Sequence, residues 1–167
     1  MTVVEQEQDY LNELAELALG TRLKRLSDRL TADATKVYRA FGFDLQPKWF
    51  TLLSLLHAKG QVSVVNAAEL LGLSQPAISQ FSRDLVAQGI VVSTVCDDDS
   101  RKRQLTLSKN GKSLVKKLQP MWAAVDAAAK ELCREDGNNF YQSLVSFERV
   151  LARKSLLERA LEAHNGD

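Results

Sequence analysis

The stretch from Ser63 to Gly111 constrains this chain more than any other, because its punctuation leaves little freedom in where elements begin and end. Ser63 can cap a helix whose apolar positions, Val64, Ala67, Ala68 and Leu71, recur at the three- and four-residue spacing of one helical face. Gly72 can take the positive φ that ends it. Leu73 is then expected to pack under a tight turn. Ser74 offers a second cap, and Pro76 suits a first helical turn, where a missing N–H costs nothing. The second helix therefore starts at Gln75 and buries Ala77 or Ile78, Phe81, Leu85 and Val86, with Gly89 at its end. Gln75, Ser79, Gln80, Ser82 and Arg83 are left for the opposite face.

Two short helices about a tight turn, the second with a face of Ser, Gln and Arg, meet the requirements of a helix-turn-helix whose second helix enters the major groove. Gln and Arg carry the donors and acceptors that match base edges, whereas bulky or acidic residues would block approach. Two ordinary core helices with a solvated face satisfy the same pattern, so the residues that follow decide between them. Ile90, Val91, Val92, Thr94 and Val95 form a β-branched run, Asp97 to Lys102 is charged, and Gln104 to Leu107 is a second strand-like stretch. It ends at Ser108, a cap for another helix. A hairpin directly after a helix-turn-helix is a wing. Its tip is expected to carry Arg101, Lys102 and Arg103 toward the minor groove or phosphates, with Asp99 paired to Arg101 and with Asp97 and Asp98 facing solvent.

The run AAELLGLSQPAISQFSRDLVAQGIV (Ala67 to Val91) and the later DDDSRKRQLTLSKNG (Asp97 to Gly111) resemble the winged helix-turn-helix of the MarR family of bacterial transcription regulators. In that family the wing commonly reads Asp, any residue, Arg, then a strand ending in Leu-Thr and a Gly shortly after. Asp99, Arg101, Leu107 and Gly111 fit, and Ser108 stands in for the threonine with a hydroxyl that can also cap. The resemblance implies a dimeric protein that binds double-stranded DNA over a two-fold symmetric operator. The expected DNA-binding residues are Ser74, Gln75, Pro76, Ser79, Gln80 and Arg83 around the second helix, and Asp99, Arg101, Lys102 and Arg103 in the wing. The segments LALGTRLKRLSDRL (Leu17 to Leu30) and LQPKWF (Leu45 to Phe50) also resemble the MarR half of proteins fused to an acetyltransferase. No acetyltransferase activity follows, since the chain has no room for that domain.

The flanks read as helices. From Asp9 to Phe41, a long helix or a pair of helices carries Tyr10, Leu14 and Leu17, then past a possible hinge at Gly20 carries Leu23, Leu26, Leu30, Ala34, Val37 and Phe41. So long an apolar stripe has more to bury than a small winged helix can cover, which makes a partner subunit its natural cover. Gly42 and Pro47 bracket a loop, and a third helix over Lys48 to Ala58 turns Trp49, Phe50, Leu53 and Leu56 toward the core. After the wing, Lys109 to Cys133 is helical through Leu114, Leu118, Met121, Val125, Ala128 and Leu132, with a kink expected at Pro120. A last helix carries Phe140, Leu144, Phe147, Leu151, Leu157 and Leu161 to a frayed end. The expected fold is mainly α with a minor β part, a winged helix-turn-helix with a two-stranded wing over residues 47–111. N-terminal (1–46) and C-terminal (112–167) dimerisation helices flank it and space the two recognition helices about 34 Å apart.

Composition narrows the function classes. No run of about 18 apolar residues exists to span a membrane, and the N-terminus lacks a basic-then-apolar signal pattern, so a cytoplasmic location is expected. Two cysteines, Cys96 and Cys133, are too few for a disulfide framework and are read as inert thiols. The formal net charge is +1, yet Met1 to Gly20 holds five acids and no Lys or Arg, while Ile90 to Pro120 holds seven bases against three acids. A nearly neutral whole can still present a basic face. With two histidines, no metal-ligand spacing, no phosphate-binding Gly-rich loop and no nucleophile elbow, the chain is not read as an enzyme, and no metal or cofactor is expected. Tyr38, Trp49, His57 and Trp122 could line a crevice for a small-molecule effector whose identity the sequence does not supply, although aromatics at helical spacing more often belong to a core. The function expected is a homodimeric, sequence-specific transcription regulator. The alternative is a winged-helix module that binds proteins without reading DNA.

Overall fold

Asp9, expected to begin a long helix, caps a single 3-10 turn, Tyr10–Asn12, by accepting from the Leu11 amide at 3.2 Å. Its other carboxylate oxygen takes a hydrogen bond from Arg25 Nη2 at 2.6 Å, and Arg22 reaches Asn12, so this segment is tied sideways to the helix that follows. A second 3-10 turn, Ala15–Ala18, starts from Ala15 at a φ of 45°, and only then does α1 (Leu19–Ala40) begin. Gly20 therefore lies inside α1 and is no hinge. The computed structural model describes residues 9–95, 103–135, 137 and 139–166. The described residues fall into two compact units, those up to residue 118 and those from residue 119.

In the first unit, a 3-10 turn at Pro47–Trp49 leads into α2 (Phe50–Lys59), and the buried residues Trp49, Leu52, Leu53 and Leu56 lie along one helical face. Phe50, expected inside, falls off that face and is exposed, and Leu52 takes the core position. His57, read as core-facing, is exposed as well. Next come β1 (Gln61–Ser63), α3 (Val64–Leu71), α4 (Gln75–Ala87), β2 (Val91–Val95) and β3 (Arg103–Leu107). The sheet has three antiparallel strands in the order β1-β3-β2, so the two-stranded wing is extended by a strand the sequence pattern does not announce. Val62 pairs with Leu105 on one side of β3, and Val91 pairs with Leu107 on the other. All four of these side chains are buried against the helices. Of the N-terminal stripe, Leu23, Ala34 and Val37 are half-buried, whereas Leu26, Leu30 and Phe41 stay exposed and Leu17 is 87% exposed; the buried side chain of α1 is Tyr38, beside the stripe.

Helix α5 (Lys109–Glu135) begins against the base of the wing. The Ser108 hydroxyl accepts from the Gly111 amide at 2.9 Å and donates to the Gly89 carbonyl at 2.6 Å, while the Ser108 amide donates to the Ile90 carbonyl at 3.0 Å. Gly111 is buried there because the helix touches the chain at Ile90, and a Cβ would stand 2.1 Å from the Ile90 carbonyl oxygen. Val115, Leu118 and Met121 are fully buried along α5, with Pro120 inside the helix, while Val125 and Leu132, later in the same apolar pattern, are exposed.

The second unit holds the rest of α5 together with α6 (Phe140–Arg153) and α7 (Leu156–Asn165). The single last helix expected from the sequence is thus two. Ser155 breaks it: its hydroxyl accepts from the Glu158 amide at 3.2 Å, and the Glu158 carboxylate accepts from the Ser155 amide at 2.7 Å, a reciprocal capping box. Neither α6 nor α7 buries a residue, and Leu156 and Leu157 are 72% and 68% exposed. Among the described residues no helix is long and apolar enough to cross a membrane.

Candidate nucleic-acid interface

The turn between α3 and α4 is built by local chemistry. The Ser63 hydroxyl accepts from the Asn66 amide at 3.1 Å to start α3, and Gly72, at a φ of 63°, ends it. The Leu73 amide then donates back to the Ala68 carbonyl at 3.0 Å, closing the turn. The Leu73 side chain, expected beneath this turn, is exposed instead. Ser74 starts α4 by accepting from the Ala77 amide at 3.3 Å, with Pro76 in the first turn.

Burial sets the phase of α4. Ile78, Ser82 and Leu85 are the buried residues, spaced by four and three, and Phe81 is half-buried beside them. Ser82, expected on the polar face, lies between Ile78 and Leu85 on the stripe that meets the core, where its small side chain admits close packing. Val86, one position beyond Leu85, turns outward and is exposed. The outward face carries Gln75, Pro76, Gln80 and Arg83, with Ser79 half-buried at its margin.

These side chains are linked to one another. Gln80 Nε2 donates to Asp84 Oδ1 at 2.7 Å, and Arg83 Nη2 donates to Gln80 Oε1 at 2.5 Å. Asp84 is not among the residues anticipated from the sequence, though the Gln-to-Asp spacing of four is a known helical pairing and is the available signal.

In the wing, β2 and β3 run antiparallel with Val95 opposite Arg103. Arg103, expected at the tip, is the exposed first residue of β3. Asp99, Arg101 and Lys102 lie outside the described residues, and so does the pairing expected between Asp99 and Arg101. A cleft of about 500 Å³ separates α4 from the wing strands, lined by Ser79 and Arg83 on one side and by Ser93 and Arg103 on the other. Among the described residues no acid lines it, and the Ser93 hydroxyl is buried with no hydrogen-bond partner among them.

A second cavity, of about 610 Å³, lies behind the helix pair between α1, the loop ahead of α2 and the end of α4. Of the four aromatic and histidine residues considered for a crevice, Trp49 alone lines it, together with Arg39, Phe43, Asp44, Lys48 and Gln88. Tyr38 is buried, His57 is exposed, and Trp122 belongs to the second unit. The Lys48 ammonium stands 5.8 Å from the Trp49 ring centre and 5.7 Å from that of Phe81, a cation–π contact that ties the start of α2 to α4. Among the described residues no three of His, Cys, Asp and Glu gather as metal ligands would.

Residues 43–102 match the model of the MarR family. Three solved structures are similar to the chain in fold. The S. aureus MepR–DNA complex superposes with a TM-score of 0.66 at 18% identity, over 80% of this chain and 97% of that one. The transcriptional repressor CouR, bound to a 23-mer DNA duplex, gives 0.65 at 24% identity, over 81% and 96%. The PcaV transcriptional regulator from Streptomyces coelicolor, in complex with its natural ligand, gives 0.61 at 17% identity, over 82% and 96%. Residues 43–102 thus resemble the MarR family in sequence, and the chain has the winged-helix fold of MarR-family regulators.

Proposed function

We propose that this protein is a homodimeric transcription regulator that binds double-stranded DNA at a pseudo-palindromic operator in the cytoplasm, with no catalytic step. The observation that carries this reading is the outward face of α4: Gln75, Gln80 and Arg83 stand exposed on a helix whose other face is held by Ile78, Ser82 and Leu85. That arrangement presents base-matching groups on a rigid support. Ser74 and the Gln75 N–H receive a phosphate, Gln75, Ser79, Gln80 and Arg83 meet base edges or adjacent phosphates, and Pro76 shapes the approach. In the wing, Arg101 enters the minor groove with Asp99 orienting it, and Lys102 and Arg103 follow the backbone.

The segments 1–46 and 112–167 serve as the dimer surface. Support comes from the apolar side chains they leave exposed, among them Leu17, Leu156 and Leu157, which a second copy would cover. MepR and CouR are seen on DNA and PcaV with its natural ligand. By analogy we place a small-molecule effector in the 610 Å³ cavity behind the helix pair, a volume in the range of ligand sites. Selection of bound sequences from a randomised duplex library tests the reading. An enriched inverted repeat, with affinity that falls steeply as salt rises, is the expected result. No enrichment together with a salt-insensitive interaction would refute it and favour a protein-binding winged helix.

A further inference from the structure

The hydrogen bonds on the outward face of α4 have only one chemically consistent direction. A carboxylate accepts and cannot donate, and a guanidinium donates and cannot accept. With Asp84 Oδ1 at 2.7 Å from one end of the Gln80 amide and Arg83 Nη2 at 2.5 Å from the other, the amide nitrogen must face Asp84 and the amide oxygen must face Arg83. Each end of Gln80 thereby holds one partner and keeps one hydrogen or one lone pair. A glutamine reads adenine by laying the plane of its amide against N6 and N7 together, and the two partners hold the Gln80 amide along the helix, turned away from that pose. Arg83, by contrast, spends one hydrogen on Gln80 and keeps the others of its five donors, now in a fixed orientation. Asp84 anchors the row from behind, and the Gln88 amide nitrogen donates to the Asp84 carbonyl at 3.3 Å one turn further on.

We propose that Asp84 and Gln80 are positioning residues that set sequence specificity. They hold Arg83 as the base-reading group, so that α4 selects guanine, through O6 and N7, at the base pair it faces, and withhold Gln80 from reading adenine. This rests on the DNA-binding reading above and deepens it. An acid on a DNA-facing helix repels phosphate unless it accepts from a cytosine N4, and here the Asp84 carboxylate is engaged by Gln80 instead. Its carboxylate is turned along the helix onto the amide, and its effect reaches the groove through the orientation of the arginine.

The test is selection from a duplex library with a random central stretch, run in parallel on the wild-type chain, Asp84→Ala, Asp84→Asn and Gln80→Leu, with far-ultraviolet circular dichroism to show that each variant is folded. Wild type is expected to enrich guanine at one position of each half-site. Asp84→Ala frees Gln80, and discrimination of guanine over adenine at that position should fall by about tenfold. Asp84→Asn keeps an acceptor for Gln80 Nε2 and should keep the preference. Gln80→Leu leaves Arg83 unsupported and should blur the same position. Loss of the acidic charge alone would raise affinity for all duplexes alike and leave base frequencies unmoved, so the frequencies separate positioning from repulsion. Identical frequencies at that position in wild type and Asp84→Ala overturn the relay while leaving the DNA-binding reading in place. If Asp84→Ala fails to fold, Gln80→Leu decides in its stead, and frequencies identical to wild type there overturn the relay equally. Failure of wild type to enrich any sequence overturns both.

Discussion

Replacing Gly111 by alanine probes the joint between the wing and α5. The new Cβ would stand 2.1 Å from the Ile90 carbonyl oxygen and 3.1 Å from its carbonyl carbon, both backbone atoms that no rotamer change can move. A carbon and an oxygen meet comfortably at about 3.3 Å, so the first turn of α5 and Ile90 must separate by about 1 Å. Forced overpacking of this kind costs about 1–3 kcal/mol. The shift also stretches the 3.0 Å bond from the Ser108 amide to the same Ile90 carbonyl. Losing it adds about 1 kcal/mol, and the better helix propensity of alanine returns at most about 1 kcal/mol. The net expectation is destabilisation by about 2 kcal/mol, read as a lower urea midpoint at unchanged slope, or a Tm lower by about 4–8 °C. Gly20→Ala supplies the control of opposite sign. Nothing lies within 4 Å of a Cβ there, and the residue sits inside α1, so it should stabilise by about 0.5–1 kcal/mol. An unchanged or raised midpoint for Gly111→Ala would refute the claim that close approach at Ile90 dictates this glycine.

Removing the Ser74 hydroxyl with Ser74→Ala leaves the Ala77 amide without its cap and should cost about 1 kcal/mol in urea unfolding, together with a loss of DNA affinity. Arg103→Gln should weaken binding across all sequences and lower the slope of log affinity against log salt by about one, as measured by fluorescence anisotropy. Gly72→Ala places a Cβ on a residue at a φ of 63° and should lower stability by about 1 kcal/mol even though the space around it is open. The hydrogen bond from Arg25, followed by the Leu11 amide, holds the Asp9 carboxyl below its ordinary range, with burial opposing. A carboxyl lowered in the folded state contributes stability above its unfolded pKa and loses it as the pH falls through the lowered value. Carbon-detected titration should therefore show Asp9 protonating at lower pH than a free aspartate, and Arg25→Gln should raise it toward the free aspartate range.

The α3–α4 pair is legible in the sequence because every feature that builds it is local: Ser63, Gly72, Ser74 and Pro76 each act on the turn beside them. Phase is harder. Around Phe50 and Leu52, and again around Ser82 and Val86, hydrophobic residues occupy two adjacent helical faces, so periodicity alone does not say which faces the core. The break between α6 and α7 is written in the sequence as Ser155-x-x-Glu158, and the continuing apolar repeat hides it. Of the candidate interface, the exposed positions on α4 are readable from residue type. The bond that ties Gln80 to Asp84 has a four-residue spacing as its whole sequence signature, and an acid on such a face otherwise reads as a repulsive charge. The strand β1 carries too few residues for any pattern, and its partner comes late in the chain.

That last pairing bears on how the protein comes to be folded. In the sheet order β1-β3-β2 the last strand to be synthesised sits in the middle. While the ribosome is still making the wing tip, β1 has no neighbour, because its register is written against Gln104, Leu105 and Thr106. The earlier strand β2 cannot substitute, since it too pairs with β3 alone. Closing so long a loop must come before the contacts that reward it, so the β1–β3 pairing is a slow step to form. Val62 and Val91, both buried in the finished sheet, stay exposed until Leu105 and Leu107 arrive. A chain that stalls before β3 therefore carries a pair of helices with an unfinished floor, open to chaperone or protease.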